Sequence, residues 1–333
     1  MGIASMLACL KRLVVKNYPC TFFTQERLRC DQCYYAMPVE GLEVFTFTPC
    51  PKCRNKVFVP LPIGDLLLFQ PIGAGGFASV YKAYHRAMGK TNLAVKIIRQ
   101  DKKTDPEIIK AFLAEATVHQ QIPPHPNIVR YIAGGCEDDE YYYAVEYVEG
   151  ERLEQRIKTQ GKISETEALS LAAQVVAALK HIYNNGFLYR DLNAGNVIVR
   201  SDGVAKLIDF GLTMPIEQAQ EETHADSIWG SSQFIPPERV CQGGEDACSV
   251  IYSLGMLMFY MLSGGQYINA ESIAGVVKRH VGMARLAVSS ALLPGISAPT
   301  IESVNTMMRQ EPAERYQTFE EAELAIARLR SPR

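Results

Sequence analysis

The stretch Leu188-Tyr189-Arg190-Asp191-Leu192-Asn193-Ala194-Gly195-Asn196 decides how the rest of the chain is read. An acid followed five residues later by an amide, just ahead of the apolar run Val197-Ile198-Val199, puts two oxygen-bearing side chains on one loop entering a strand. Such a loop suits a proton acceptor and a metal ligand. Thirteen residues after Asn196 comes Asp209-Phe210-Gly211, behind the strand-like Ala205-Lys206-Leu207-Ile208. Its acid is the natural metal partner of the first loop.

Working upstream, Ile72-Gly73-Ala74-Gly75-Gly76-Phe77-Ala78-Ser79-Val80 is a glycine-rich turn. Glycines lack a Cβ, so backbone amides can approach phosphate oxygens closely, and Phe77 can cap the tip against solvent. Leu93-Ala94-Val95-Lys96-Ile97-Ile98 sets one lysine in an apolar strand, where it is costly without an anionic partner. Glu115 offers that carboxylate, the alternative being a plain surface acid. It lies on a helix opened by Asp105-Pro106, an acidic cap with proline in the first turn, whose packed face is marked by Ile108, Ile109, Phe112 and Leu113. Tyr141 to Val148 reads as a strand ending in Glu146-Tyr147-Val148-Glu149-Gly150. Ser164-Glu165-Thr166-Glu167 forms a capping box ahead of Ala168, Leu171, Ala172, Val175, Val176, Leu179 and Ile182 at helical spacing. Downstream lie Gly230-Ser231-Ser232-Gln233-Phe234-Ile235, then Pro236-Pro237-Glu238, and later Glu311-Pro312-Ala313-Glu314-Arg315-Tyr316.

Together these segments resemble the eukaryotic-type (Hanks-type) serine/threonine protein kinases, of a bacterial kind, over residues 66–330. The resemblance implies an α+β, bilobal kinase fold with an N-lobe over 66–146 and a C-lobe over 151–330. It implies ATP and Mg2+ as cofactors, with Lys96 and Glu115 holding the α/β phosphates, Asn196 and Asp209 binding magnesium, and Asp191 accepting the substrate proton. The nucleotide would be enclosed by Ile72, Gly73, Ala74, Gly75, Gly76, Phe77 and Val80 above. Ala94, Lys96, Val145, Glu146, Val148 and Ile198 would complete its pocket, with backbone groups of Glu146 and Val148 reading adenine. Ser231 keeps a hydroxyl where serine/threonine kinases have threonine, which favours a serine/threonine acceptor on a protein substrate. Glu238 would pair with Arg315. Arg190 would be able to pair with a phosphate on the activation segment, for which Thr223, Ser227, Ser231 and Ser232 are candidates.

The pattern also departs from the family. Ala78 replaces the third glycine of the loop. Asn193 stands where these kinases carry lysine, and Ala194 where proline is common. Tyr189 and Tyr183 replace histidines, and Val250 replaces an aspartate that in relatives hydrogen-bonds the catalytic-loop backbone. We expect packing by the tyrosines and the valine to take over from that polar clamp. The departures keep a second reading open, a pseudokinase scaffold that binds nucleotide or a partner protein. A small-molecule phosphotransferase would lack the long segment closing in Pro-Pro-Glu.

The beginning of the chain is of another kind. Cys30-Asp31-Gln32-Cys33 and Cys50-Pro51-Lys52-Cys53, 16 residues apart, have the spacing of a structural zinc site, so residues 28–60 resemble a zinc ribbon. Iron would use the same ligands, and two disulfides or unrelated thiols are the bland alternatives. Within it Val44 to Thr48 and Lys56 to Val59 read as strands. Lys52, Arg54 and Lys56 are either a solvated face or a site for a partner. Pro60-Leu61-Pro62-Ile63-Gly64 reads as a short, proline-stiffened linker, and residues 1–27 carry no assigned role.

Composition narrows the class further. With 34 basic and 36 acidic residues, the net charge of −2 gives no field favouring nucleic acid. The apolar run Ile3 to Leu10 lacks a basic leader, and Val250 to Leu262 is too short to span a bilayer and reads as a buried helix, so a cytoplasmic protein is expected. The other cysteines, Cys9, Cys20, Cys136, Cys241 and Cys248, are scattered as in a reducing compartment.

Overall fold

The computed structural model describes residues 23–24, 27–87, 92–137, 139–221, 231–241, 243–268, 275 and 287–331. The chain divides into two units, Met1–Leu113 with Arg130–Tyr147, and Ala114–Val129 with Val148–Arg333. Residues 1–22, with Cys9 and Cys20, and the positions of Thr223, Ser227 and Gly230 lie outside the described residues.

The first unit opens with a small sheet of β1 (Phe23–Thr24), β2 (Arg27–Arg29) and β3 (Ala36–Pro38), followed by the hairpin of β4 (Phe47–Pro49) and β5 (Lys56–Phe58). Then comes an antiparallel sheet of β6 (Leu61–Ile63), β7 (Leu66–Ala74), β8 (Ala78–His85), β9 (Asn92–Ile98), β10 (Tyr131–Glu137) and β11 (Glu140–Glu146), in the order β10-β11-β9-β8-β7-β6. Two expectations are corrected here. The stretch read as a linker is the strand β6: its three residues are all buried, and Gly64, at φ +52°, turns the chain with Asp65 so that Ile63 pairs with Leu66. The strand expected from Val44 begins only at Phe47. Phe45 instead takes a left-handed φ of 66°, donates its amide to the Val59 carbonyl and packs its ring 4.7 Å from that of Tyr81. Tertiary packing has overridden the local alternation.

That contact belongs to a larger core. Leu28, Val44, Val57 and Val59 of the cysteine-bearing segment share one buried cluster with Leu67, Ala83, Leu93, Val95, Ile97 and Ala144 of the large sheet. Side chains alternate across a strand, so the odd-numbered residues of β9 face this cluster while Ala94 and Lys96 face the other way. Cross-strand partners share a face, and Lys96 lies opposite both Val80 and Tyr143, Ala94 opposite Val145. The ribbon therefore covers one face of the sheet and leaves Val80, Ala94, Lys96 and Val145 on the other.

Helix α1 (Pro106–Gln121) gives its first half to the first unit and its second half to the second. The Asp105 carboxylate accepts from the amides of Glu107 at 3.0 Å and Ile108 at 3.4 Å, capping the start as the sequence suggested. Its buried stripe is Phe112, Glu115, Ala116 and His119. Leu113 is exposed, a correction to its expected place on the packed face: it sits about 100° round the helix from Phe112, off the stripe.

The second unit holds β12 (Glu151–Arg152), α2 (Leu153–Gln160) and α3 (Glu165–Asn184), with Ser164 accepting from the Glu167 amide at the start of α3. All seven residues expected on the packed face of α3 are buried. The loop that decides the reading runs from β13 (Phe187–Leu188) to β14 (Val197–Val199), which pairs with β12 and with β15 (Ala205–Leu207); β13 pairs with β16 (Met214–Pro215). There follow α4 (Ile216–Glu221), α5 (Pro237–Val240), α6 (Ala247–Ser263), α7 (Ala298–Met307) and α8 (Phe319–Arg330). The apolar run Val250 to Leu262 is the buried body of α6, and no helix among the described residues is long and apolar enough to cross a membrane. Arg315 is 4% exposed and clasps Glu238 with two bonds of 2.7 and 2.9 Å, while its remaining donors take the carbonyls of Cys248, Arg309 and Gln310.

The shared core gives a stability prediction. Tyr81 stacks on Phe58 at 5.7 Å and meets Phe45 at a tilt at 4.7 Å, so Tyr81→Ala lowers stability by about 2 kcal/mol, less than truncation of a fully buried ring. The check is the urea midpoint, which falls at unchanged slope.

Candidate active site and metal centre

In the first unit, β7 and β8 are joined by a tight glycine turn closed by the Gly75 amide donating to the Ala78 carbonyl at 2.8 Å. Gly75 and Gly76 are exposed there, while Phe77 is half-buried and its carbonyl accepts from the Arg99 amide at 2.9 Å. An added Cβ at Gly76 would meet nothing within 4 Å, so the turn is open towards whatever approaches its amides. Ile72, Gly73 and Ala74 form the end of β7. Lys96 Nζ stands 5.8 Å from the ring centroid of Tyr143. At the end of β11 the Glu146 amide donates to the Arg130 carbonyl, and its carboxylate accepts from the Arg130 amide at 3.1 Å.

In the second unit, Asp191 is held by three donors. Asn196 Nδ2 reaches its Oδ2 at 2.8 Å, Asn193 Nδ2 its Oδ1 at 3.1 Å, and the Ser231 amide its Oδ1 at 3.2 Å. Asn193 does more: its Oδ1 accepts from the amides of Gly195 at 2.8 Å and Asn196 at 3.2 Å, capping the short 3-10 turn Ala194–Asn196. It is buried, and both ends of its side chain serve the loop. The residue that replaces a lysine has become the loop's internal brace. Asp209 Oδ1 accepts from the Gly211 amide at 3.1 Å, and a Cβ on Gly211 would lie 3.6 Å from a Glu115 carboxylate oxygen. Glu115 is 4% exposed and so borders the Asp209 turn. Lys96 belongs to the first unit, whereas Glu115, Val148, Asp191, Asn196, Ile198 and Asp209 belong to the second.

The Tyr189 substitution finds its reason in packing. Phe210 is buried with its ring stacked on His119, 4.1 Å between centroids, and edge-on to Tyr189 at 5.5 Å. His119 is fixed in turn by a 2.7 Å bond between Nε2 and the Val129 carbonyl. Burial drives the Tyr189 hydroxyl well above its ordinary pKa, and it points at the Asp209 amide without making a hydrogen bond of ordinary geometry. The Tyr183 hydroxyl donates to Asp246 at 2.6 Å, the residue that caps α6.

Val250 and Tyr189 are buried, in keeping with packing at the place of the missing aspartate. The loop backbone is also gripped from its acceptor side: Arg239 Nη2 donates to the Arg190 carbonyl at 2.7 Å. Arg239 also meets Glu245 through Nε at 2.8 Å and Nη2 at 2.7 Å, and Arg190 meets the same carboxylate through Nε at 2.8 Å. Arg190, which the resemblance made able to pair with a phosphate, faces an internal acid. Burial alone would raise the Glu245 carboxyl; the hydrogen bond from Arg239 and the charges of both arginines outweigh it and hold the pKa below the ordinary value. Sequence reading missed Arg239, Glu245 and His119. An arginine directly after Pro-Pro-Glu and an acid just ahead of the α6 cap were the available signal for the first two.

The four cysteines come together as expected. Their sulfurs lie within 4.8 Å of one another, with Cys30–Cys53 and Cys33–Cys50 both at 3.6 Å. Tetrahedral zinc with bonds of about 2.3 Å separates its sulfurs by about 3.8 Å, so the donor set fits a four-coordinate thiophilic metal. Both knuckles share one fold: the Tyr34 amide donates to the Cys30 carbonyl and Arg54 to Cys50, with φ of 59° at Tyr34 and 65° at Arg54. Asn55 Nδ2 ties the second knuckle to Asp31 of the first at 2.7 Å. Burial opposes ionisation of Cys50, yet the amides of Cys53 and Lys52 and the adjacent thiols bring it down to about 7. Cys53 gains from the Asn55 amide, but burial and its three thiol neighbours push it up to about 12. Thiols that resist ionising together are relieved by a cation among them.

Comparison with known proteins accords with this arrangement. The protein kinase domain family matches residues 67–323, and the chain belongs to that family. It is 32% identical over 263 residues to the serine/threonine-protein kinase PrkC of Bacillus subtilis, covering 79% of this chain and 40% of that protein. It is 29% identical over 273 residues to the serine/threonine-protein kinase PknB of Mycobacterium leprae, covering 81% of this chain and 43% of that protein. The chain thus matches less than half the length of these bacterial relatives.

Two measurements check the site. Elemental analysis finds about one thiophilic metal per chain, and Cys33→Ser loses it along with thermal stability, because the ribbon is too small to fold without its metal. Glu245 has a lowered folded pKa, so its stabilisation is present above the ordinary value of 4.5 and is lost as pH falls from there through the folded value. The melting temperature therefore drops across that acid range, and Glu245→Gln removes this part of the pH dependence.

Proposed function

We propose that the chain is an ATP-dependent serine/threonine protein kinase whose base is Asp191. The observation that carries this reading is the triple hold on the Asp191 carboxylate by Asn193, Asn196 and Ser231. A substrate hydroxyl gives its proton to that carboxylate while its oxygen attacks the γ-phosphorus and the bond to ADP breaks. The Ser231 amide, on the segment that resembles the substrate-receiving loop, ties acceptor binding to the base. Ser231 itself favours serine or threonine over tyrosine.

Asn196 spends its Nδ2 on Asp191, which turns its Oδ1 to other uses, and Asp209 contributes a carboxylate; these hard oxygens suit magnesium. Bound there, magnesium would neutralise charge on the phosphate oxygens. In the first unit Lys96 would supply the cation for the α/β phosphates, and Val80, Ala94 and Val145 apolar surface for the base; in the second, Glu115 is the carboxylate the resemblance assigns to that lysine, and Val148 and Ile198 offer further apolar side chains. The glycine turn offers amides to the phosphates. With Asn193 engaged inside the loop, one cation common in the family is missing, which favours a slow enzyme.

The domains read as a ribbon over residues 28–60, holding structural zinc in place of iron, and a kinase domain over 66–330. Exposed free thiols at Cys136 and Cys241 accord with a reducing, cytoplasmic setting.

Asp191→Asn keeps Mg·ATP affinity within about twofold while phosphoryl transfer falls by about 10² to 10⁴. Phosphoproteomics of cells carrying each form would then name the substrates. Tight nucleotide binding by the wild type with no hydroxyl modified would favour the scaffold reading instead.

A further inference from the structure

Three charged side chains behind the catalytic loop do something the proposed chemistry has not used. Glu245 is 2% exposed, and its carboxylate receives Arg239 and Arg190 together. The two guanidinium groups are themselves 9% and 11% exposed. A buried acid shared by two largely buried arginine side chains is expensive to desolvate, and it persists only where the geometry is fixed on all sides.

The fixing is visible. The Glu245 amide donates to the Ala219 carbonyl at 2.9 Å, anchoring the acid to α4. Gly244 comes so near α4 that a Cβ there would fall 2.1 Å from the Gln220 carbonyl oxygen, which only glycine permits. Asp246 caps α6 immediately after. On the other side Arg190 Nη1 reaches the Met214 sulfur at 3.0 Å. The ends of this network meet at the Arg190 carbonyl, one residue before Asp191, where Arg239 donates its hydrogen bond.

We propose that Arg239 and Glu245 are positioning residues for phosphoryl transfer, holding the Arg190-Asp191 backbone with charges built into the chain. The inference rests on the kinase reading above. Arg239 grips the main chain beside the base, and Glu245 locks Arg239 and neutralises Arg190. Because the Arg190 charge is already met from within, the loop keeps its geometry without an added phosphate on the activation segment.

The test uses the full chain with Arg239→Met, Arg239→Lys, Glu245→Gln and the double variant Arg239→Met/Glu245→Gln. In Arg239→Met, kcat falls about tenfold or more while KM for ATP stays within about twofold, and Arg239→Lys recovers part of the loss. The double variant is no slower than the slower single one, because the residues act as a unit. Amide hydrogen exchange over residues 192–196 accelerates in Arg239→Met relative to α3, a local change that general destabilisation would not give. Wild type stripped by phosphatase keeps its rate within about twofold. Unchanged kcat in Arg239→Met, uniform exchange, or loss of activity on phosphatase treatment would overturn the proposal. A wild type that transfers no phosphate would sink the kinase reading alone, and exchange over 192–196 would still decide whether Arg239 holds the loop.

Discussion

A β-sheet has two faces, and this chain needs opposite things of them. Lys96 stands on one face, while Leu93, Val95 and Ile97, its neighbours on β9, must be kept dry on the other. The ribbon satisfies that demand by burying its own Leu28, Val44, Val57 and Val59 in the same cluster. It is a lid on the back of the sheet, continuous with it through β6 and through the packing of Tyr81 against Phe45 and Phe58. Order at four thiols is thereby linked to order in the strands that carry the glycine turn and the lysine.

The loop between β13 and β14 shows how a fold tolerates substitution when other atoms hold the same backbone. Asn193 braces Asp191, Arg239 grips the main chain at Arg190, and Glu245 neutralises the Arg190 side chain. The aromatic column of His119, Phe210 and Tyr189 joins α1, the Asp209 turn and the loop through ring contacts. Each replacement is chemically unlike the group it stands for, yet the position of Asp191 is held.

Much of this was legible in the sequence because local pattern and chemistry agreed. The face of α3, the cap at Asp105, the cysteine pairs and the clasp of Arg315 on Glu238 all follow from spacing or from motif resemblance. What escaped reading was set by partners distant in the chain. Leu61–Ile63 looks like a linker until its burial against β7 is known, and Phe45 leaves its strand pattern for a ring on β8. The Val250 substitution raised the question of what grips the loop, and one grip, that of Arg239, comes from eleven residues upstream and depends on the fold of the intervening turn.

The placement of β6 has an effect on how copies of the chain meet. An outermost strand offers its unpaired amides and carbonyls to any passing strand, and long flat edges recruit one another. Here the outermost position beside β7 is filled by only three residues, and the middle one is Pro62, which has no amide hydrogen to give. The border beside Leu66–Leu68 is short and poor in donors, so that end of β7 is shielded from stray pairing.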